Sequence, residues 1–253
     1  MSGDAVPLIE MRHISKSFGA IQALVDVDFR LMPAEVLGLV GDNSAGKSTL
    51  MKILTGAYSR DSGAILMEGR EVHFHSPHDS REAGIEMIYQ DFALCGNMDV
   101  ASNIFLGRWP RRGPFVDRAR MERDARAVLE RLRVDIASVN LKVESLSGGR
   151  QQSVAIARAV AFRPKVIVLD EPTANLSVTA TERLLETMLE LKRQGVAQVI
   201  ISHRLQDIFA VGDRVMVLKR GRLVGERDVA LTDPDEVLGM IVQGDVAAEE
   251  AAA

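Results

Sequence analysis

The chain has 253 residues, 47% of them hydrophobic and 26% charged, which supplies a sizeable core in one large domain, or a domain with an inserted subdomain, and excludes global disorder. A net charge of −4 argues against a protein whose main business is gripping nucleic acid. The single Cys95 rules out an internal disulfide and a cysteine-pair zinc site, and no run of eighteen apolar residues or secretory segment is seen, so a cytoplasmic chain that does not itself span a membrane is expected.

In chain order, residues 8–35 and 60–75 are short strand-like pieces with turn signals such as "DSG" and "EGR", predicting a small antiparallel sheet laid against the core. "VLGLV" (36–40), "IEMIY" (85–89), "VIVLD" (166–170), "QVIIS" (198–202) and "RVMVL" (214–218) are too continuously apolar for one-sided strands. They predict an α/β core with a mainly parallel sheet. The interval from about 91 to 160 breaks that rhythm and must be mostly helical. Within it Val128, Leu129 and Leu132 share an apolar face, Glu122 lies four residues before Arg126, and the other arginines read as a solvated face. After "ANLS" a helix carries Leu184, Leu185, Met188 and Leu191 on one stripe and stops at Gly195. The domain is expected to span 1–240, with the low-complexity segment 241–253 fraying.

The segment Gly41, Asp42, Asn43, Ser44, Ala45, Gly46, Lys47, Ser48, Thr49 fits the phosphate-loop pattern, and it lies between a predicted strand and a predicted helix, as that pattern requires. Its glycines allow successive N–H groups to face a polyphosphate at a helix N-terminus. Lys47 then suits the β- and γ-phosphates, and Ser48 suits Mg²⁺. "VIVLDEP" delivers Asp170 and Glu171 to the carboxyl edge of the sheet, where α/β proteins place ligands. Asp170 suits Mg²⁺ through water, and Glu171 is placed to accept a proton from a water facing the γ-phosphate. Gln90 and His203 end two further strands at the same edge, where they can sense Mg²⁺, water and γ-phosphate.

A second glycine-lined helix start, Leu146, Ser147, Gly148, Gly149, Arg150, Gln151, is also suited to an anion. The chain's own phosphates being enclosed by 41–49, this start is expected to serve a nucleotide bound to another copy, each subunit completing the other's site.

Taken in order, phosphate loop, Gln90, "LSGGRQQ", "VIVLDEP" and His203 resemble the ATP-binding cassette of ABC transporters over residues 8–227. The resemblance implies a P-loop ATPase with Gln90 in the Q-loop as a further Mg²⁺ contact, Ser147 to Gly149 as the signature that caps ATP in a head-to-tail dimer, His203 as the switch histidine, and Phe18 stacked on adenine. It makes the interval 91–160 the helical subdomain that meets a membrane-spanning permease. "IYQDFALCGNMDVASNIFLGR" and "ISHRLQDIFAVGDRVMVLKRGRLV" are similar to ATP-binding subunits of bacterial monosaccharide importers, in particular the single-cassette members. That implies a second ATP-binding subunit, here a homodimer, a periplasmic sugar-binding protein acting through the permease, and a place at the cytoplasmic face of the inner membrane.

Two positions depart from the cassette pattern. Ser177 stands where most cassettes have an aspartate, able to cap the following helix but without charge, and Ser44 stands where many have glycine, so that position must accept a Cβ. Competing functions are a soluble cassette acting on DNA or ribosomes, disfavoured by the acidic balance, and a small-molecule P-loop kinase, for which "LSGGRQQ" has no use.

Overall fold

A computed structural model of the protein describes residues 6–89, 93–174 and 176–243. In chain order the elements are β1 (Ile9–Phe18), β2 (Ile21–Leu31), β3 (Val36–Val40), α1 (Lys47–Leu54), β4 (Ser62–Met67), β5 (Arg70–Val72), α2 (Pro77–Glu82), β6 (Ile85–Ile88), α3 (Val100–Ile104), β7 (Arg111–Arg112), β8 (Phe115–Val116), α4 (Arg118–Arg131), α5 (Gly148–Val160), β9 (Val166–Asp170), α6 (Val178–Arg193), β10 (Ala197–Ile201), α7 (Leu205–Val211), β11 (Arg214–Lys219), β12 (Arg222–Asp228) and α8 (Pro234–Gln243).

The core sheet has the order β12-β11-β3-β10-β9-β6, parallel except for the edge strand β12. Its apolar runs are continuous because successive side chains leave opposite faces and both faces are covered. On β3, Val36 and Val40 join one apolar cluster while Leu37 and Leu39 join the other. β9 splits the same way, Ile167 and Leu169 against Val166 and Val168. One cluster lies under the antiparallel sheet β2-β1-β4-β5 and α1, and the other under the helices α3 to α8. The expected α/β core, antiparallel sheet and helical insertion are all present.

In the insertion, α4 buries Met121, Ala125, Val128 and Leu129, a helical stripe, against α3 and α5. Its solvent face carries Arg118 and Arg126 on either side of Glu122, at 3.1 and 3.3 Å. α6 is capped as expected, its Ala180 N–H donating to Ser177 Oγ at 3.3 Å, and Gly195 follows its end with φ +86°. Several features have no counterpart in the expected elements, among them the hairpin β7–β8 inside the interval expected to be mostly helical. β12 returns from β11 through a two-residue turn, Arg220 and Gly221, both at positive φ, which matches the twist of a tight hairpin. α8 runs through Gln243, into the segment expected to fray, because its Val237 and Met240 are buried against the core; 244–253 lie outside the described residues.

Candidate functional site

The parallel strands β3, β10 and β9 are neighbours, so the segments leaving their carboxyl ends share one edge. From β3 comes the loop 41–46. Gly41 has φ +145°, and a Cβ there would lie 2.0 Å from Leu218 O; Gly46 has φ +101°, and its Cβ would lie 2.7 Å from Ala23 O. Both turns therefore require glycine. Ser44 does accept a Cβ, but at φ +76°, a left-handed conformation that strains any residue but glycine. Asp42, Asn43 and Ser44 are exposed, Ala45 is buried and Thr49 half-buried. Gly46 caps α1 without a side chain, which leaves the first N–H groups of that helix unclaimed by a side-chain cap.

Lys47 is buried, and its ammonium donates to Gly41 O at 2.7 Å and Asp42 O at 2.9 Å. Burial lowers its pKa, against the pull of Glu171, Asp170 and Asp42. Asp170, at the end of β9, has its carboxyl pushed upward by burial, a shift opposed by a hydrogen bond from Ser48 and increased by Glu171.

Glu171 follows at φ +48°, its N–H donating to Ile201 O at 2.9 Å, so the residue is pinned to β10. Its Oε2 is buried and accepts no hydrogen bond among the described residues. His203 Nδ1 stands 2.8 Å away from that oxygen, a close approach without hydrogen-bond geometry, on a ring whose side chain is 64% exposed. A buried carboxylate oxygen with no donor is an incomplete environment, and one that a water or other donor in the cleft would complete. The carboxyl edge thus brings together Lys47, Ser48, Asp170, Glu171 and His203. Gln90 follows β6 and lies outside the described residues.

Phe18 ends β1 with 44% exposure, stacked edge-on against Tyr58 at 5.3 Å between ring centres. Asp61 steadies this corner by accepting from Lys16 Nζ and from the Ser17 N–H, both at 2.7 Å. Sequence reasoning missed Tyr58 and Asp61, which are ordinary turn residues until the fold closes on Phe18.

The second glycine-lined start is the N-terminus of α5. Ser147 is its exposed N-cap and makes no side-chain cap. A Cβ on Gly148 would meet nothing within 4 Å, whereas one on Gly149 would lie 3.3 Å from Ala180 Cβ. Packing within the chain therefore accounts for Gly149 and leaves Gly148 without an internal reason. Leu146 is buried, Arg150 reaches Asp135 at 3.8 Å on the surface, and Gln151 is turned inward, donating to Val143 O and Leu146 O at 3.2 and 3.1 Å. Gln151 thus shapes the loop behind Ser147 and does not face a ligand. Among the described residues no hydrogen bond links 146–151 to 41–49.

Two buried contacts tie the regions together, both invisible in the sequence because their partners are far apart in the chain. Gln152 Nε2 donates to Pro172 O at 2.5 Å, and the Thr173 hydroxyl donates to Asp207 Oδ2 at 2.6 Å. Among the described residues no group of three or more His, Cys, Asp or Glu could hold a metal ion, and no helix is long and apolar enough to cross a membrane.

Residues 24–174 match the protein-family model described as ABC transporter. A xylose/arabinose import ATP-binding protein of Sulfolobus acidocaldarius is 43% identical over 91% of this chain and 92% of its own length. A fructose import ATP-binding protein of Rhizobium meliloti is 42% identical over 90% and 92%. A ribose import ATP-binding protein of Rubrobacter xylanophilus is 48% identical over 93% of this chain but 47% of its own, so the chain spans about half the length of the ribose relatives it matches. Among solved structures, a nucleotide-free ATP-binding cassette from an ABC transporter superposes with a TM-score of 0.82 at 27% identity, covering 95% of this chain and 97% of that one.

Proposed function

The chain belongs to the ABC transporter family, and from that footing we propose that it is the ATP-hydrolysing subunit of an importer, working as a head-to-tail pair beneath a permease at the cytoplasmic face of the cell membrane. The observation that carries the chemistry is the buried Glu171 Oε2, 2.8 Å from His203 Nδ1, on the edge that also bears Lys47, Ser48 and Asp170. Lys47 exchanges the carbonyls of Gly41 and Asp42 for phosphate oxygens, so its folded-back ammonium is already at the loop where the phosphates lie. Ser48 and Asp170, already hydrogen-bonded to each other, would hold Mg²⁺, which when bound would neutralise charge on the β- and γ-phosphates. Glu171 takes the proton as a water oxygen bonds to the γ-phosphorus and the bond to the bridging β–γ oxygen breaks, leaving ADP and phosphate. His203, with Nδ1 2.8 Å from Glu171 Oε2, is placed to limit the movement of that carboxylate. Gln90, outside the described residues, would be a further Mg²⁺ contact. Phe18 stacks on the adenine.

Ser147 and Gly148 act on the ATP of a second copy. Support comes from the open space around Gly148 and from the uncapped N-terminus of α5. A monosaccharide cargo, handed to the permease by a periplasmic binding protein, is supported by the sugar names of relatives that match nearly end to end.

Glu171→Gln tests the assignment. It should leave ATP binding intact, lower hydrolysis about 10²- to 10⁴-fold, and accumulate an ATP-bound dimer on gel filtration. A variant that stayed monomeric at saturating ATP and hydrolysed it normally would overturn both the base and the shared site. Coupling is read separately, as sugar uptake by cells carrying or lacking the chain together with its permease.

A further inference from the structure

Between α3 and α4 the chain builds a hairpin that the nucleotide site does not use. Arg111 pairs with Val116 and Arg112 with Phe115 across two strands of two residues each, joined by Gly113 at φ +63° and Pro114. Strands this short do not hold themselves together, so the hairpin depends on its base. That base is firm. Asp117 N–H donates to Pro110 O at 2.8 Å, the Asp117 carboxylate caps α4 through the Arg120 N–H at 3.0 Å, and Arg118 reaches Asp99 at 2.6 Å. Trp109, just before it, packs against the helical core.

All of 111–116 is exposed, with Phe115 at 76% and Val116 at 49%. Side chains directly opposite each other in an antiparallel pair share a face. One face of the hairpin therefore carries Arg111 with Val116, and the other Arg112 with Phe115. Arg118, Arg120 and Arg126 nearby all have carboxylate partners, whereas among the described residues Arg111 and Arg112 make no ion pair. An apolar group beside a free cation on each face of a rigid, protruding turn fits a boundary between water, anionic headgroups and hydrocarbon.

We propose that this hairpin is a membrane-contact element, entering tip first so that Phe115 reaches the interfacial layer at the depth of Arg112, with Val116 and Arg111 one residue shallower and both guanidinium groups turned to anionic phospholipid headgroups. The arginines select an anionic surface, and the small apolar area selects lipid over a protein docking on this hairpin alone. Two apolar side chains fall far short of the roughly 800 Å² per partner that a stable protein interface buries, but shallow insertion needs no more. Each arginine near an anionic surface strengthens partition about fivefold, and the effect stays within a Debye length. The chain's net charge of −4 does not favour such a surface, so attraction has to be local to this turn. The element makes the subunit favour one orientation beneath a membrane, whatever the cargo.

Cosedimentation of the full chain with vesicles, without nucleotide or permease, tests this independently of the proposed transport function. Vesicles of phosphatidylglycerol and phosphatidylethanolamine should carry down the wild type at low salt, and vesicles of phosphatidylcholine should not. Arg111→Glu with Arg112→Glu should abolish binding, and Phe115→Ser with Val116→Ser should weaken it about tenfold, with basal ATP hydrolysis and circular dichroism unchanged in both. Arg111→Gln with Arg112→Gln, which removes charge without reversing it, should weaken binding by about 25-fold, two fivefold factors. Equal binding to the two vesicle types, no sedimentation at low salt, or wild-type binding by the variants would overturn the proposal. So would variants that bind vesicles normally but lose a detergent-solubilised permease, since the partner would then be a protein.

Discussion

The hydroxyl of Thr173 donates to Asp207 Oδ2 at 2.6 Å in a buried contact that joins segments 34 residues apart. Thr173 lies two residues beyond Glu171, and Asp207 lies on α7, four residues beyond His203. The pair therefore fastens together the two segments whose side chains meet at Glu171 Oε2. Removing the hydroxyl leaves Asp207 with Arg204 Nε at 3.5 Å as its remaining charged partner. Thr173→Val keeps the shape and should cost about 1–3 kcal/mol, the penalty of a buried acceptor losing its donor, read from urea unfolding. Thr173→Ser should recover most of it. Hydrolysis should fall more than ATP binding in the valine variant, because the proposed base Glu171 and His203 lose their common anchor.

Asp170 carries a pH-dependent cost to the folded chain. Burial lifts its carboxyl above the ordinary 3.8, the Ser48 hydrogen bond opposes the lift, and Glu171 adds to it. A carboxyl whose pKa is higher folded than unfolded binds more protons in the native state, so its contribution to stability falls as pH rises from 3.8 through the folded value. At neutral pH the ionised Asp170 is a burden on the nucleotide-free protein. Asp170→Asn should therefore raise the nucleotide-free Tm at pH 7, by about 2–4 °C per kcal/mol relieved, with the gain shrinking toward pH 4. Thermal scans across that range check it, and a Tm below wild type at pH 7 would refute the sign. If Asp170 helps to hold Mg²⁺ as proposed, Mg²⁺ with ATP should stabilise the wild type more than ATP alone, and the same variant should lose that difference.

Much of this architecture is legible in the sequence because the relevant forces are local. Strands buried on both faces read as unbroken apolar runs, and Gly41 and Gly46 occupy turns whose backbone conformation requires glycine. What escapes the sequence is long-range. Thr173 finds Asp207, Gln152 finds Pro172, and Tyr58 and Asp61 steady Phe18 only after the chain has folded. Gln151 looks like part of the anion-facing motif by position, yet its amide is consumed by Val143 and Leu146. β12 was hidden by charge, because an edge strand reading "RLVGERD" lacks the continuous apolar run of its neighbours.

Ser44 sits at φ +76° in an exposed loop, so its Cβ strains the backbone without any packing in return. Ser44→Gly relieves that strain but gives the unfolded chain more freedom, and the two effects oppose each other. The balance should be a stabilisation of up to about 1 kcal/mol in denaturant unfolding, with ATP affinity unchanged or higher.

The two glycines that open α5 separate a fold requirement from a partner requirement. A methyl on Gly149 would press within 3.3 Å of Ala180 Cβ, so Gly149→Ala has to push α6 away by a few tenths of an ångström and should destabilise the single subunit. A methyl on Gly148 meets nothing within 4 Å, and alanine is the better helix former, so Gly148→Ala should leave subunit stability unchanged or raise it by up to about 1 kcal/mol. Its effect should appear only between subunits, where, in the proposed pair, a Cβ would keep another copy's phosphates from approaching the N–H groups of α5. Introduced together with Glu171→Gln, Gly148→Ala should reduce the ATP-trapped dimer on gel filtration while ATP binding to the monomer stays at wild-type strength. If Gly148→Ala formed the dimer as readily as the parent, the free N-terminus of α5 would have no role across the pair.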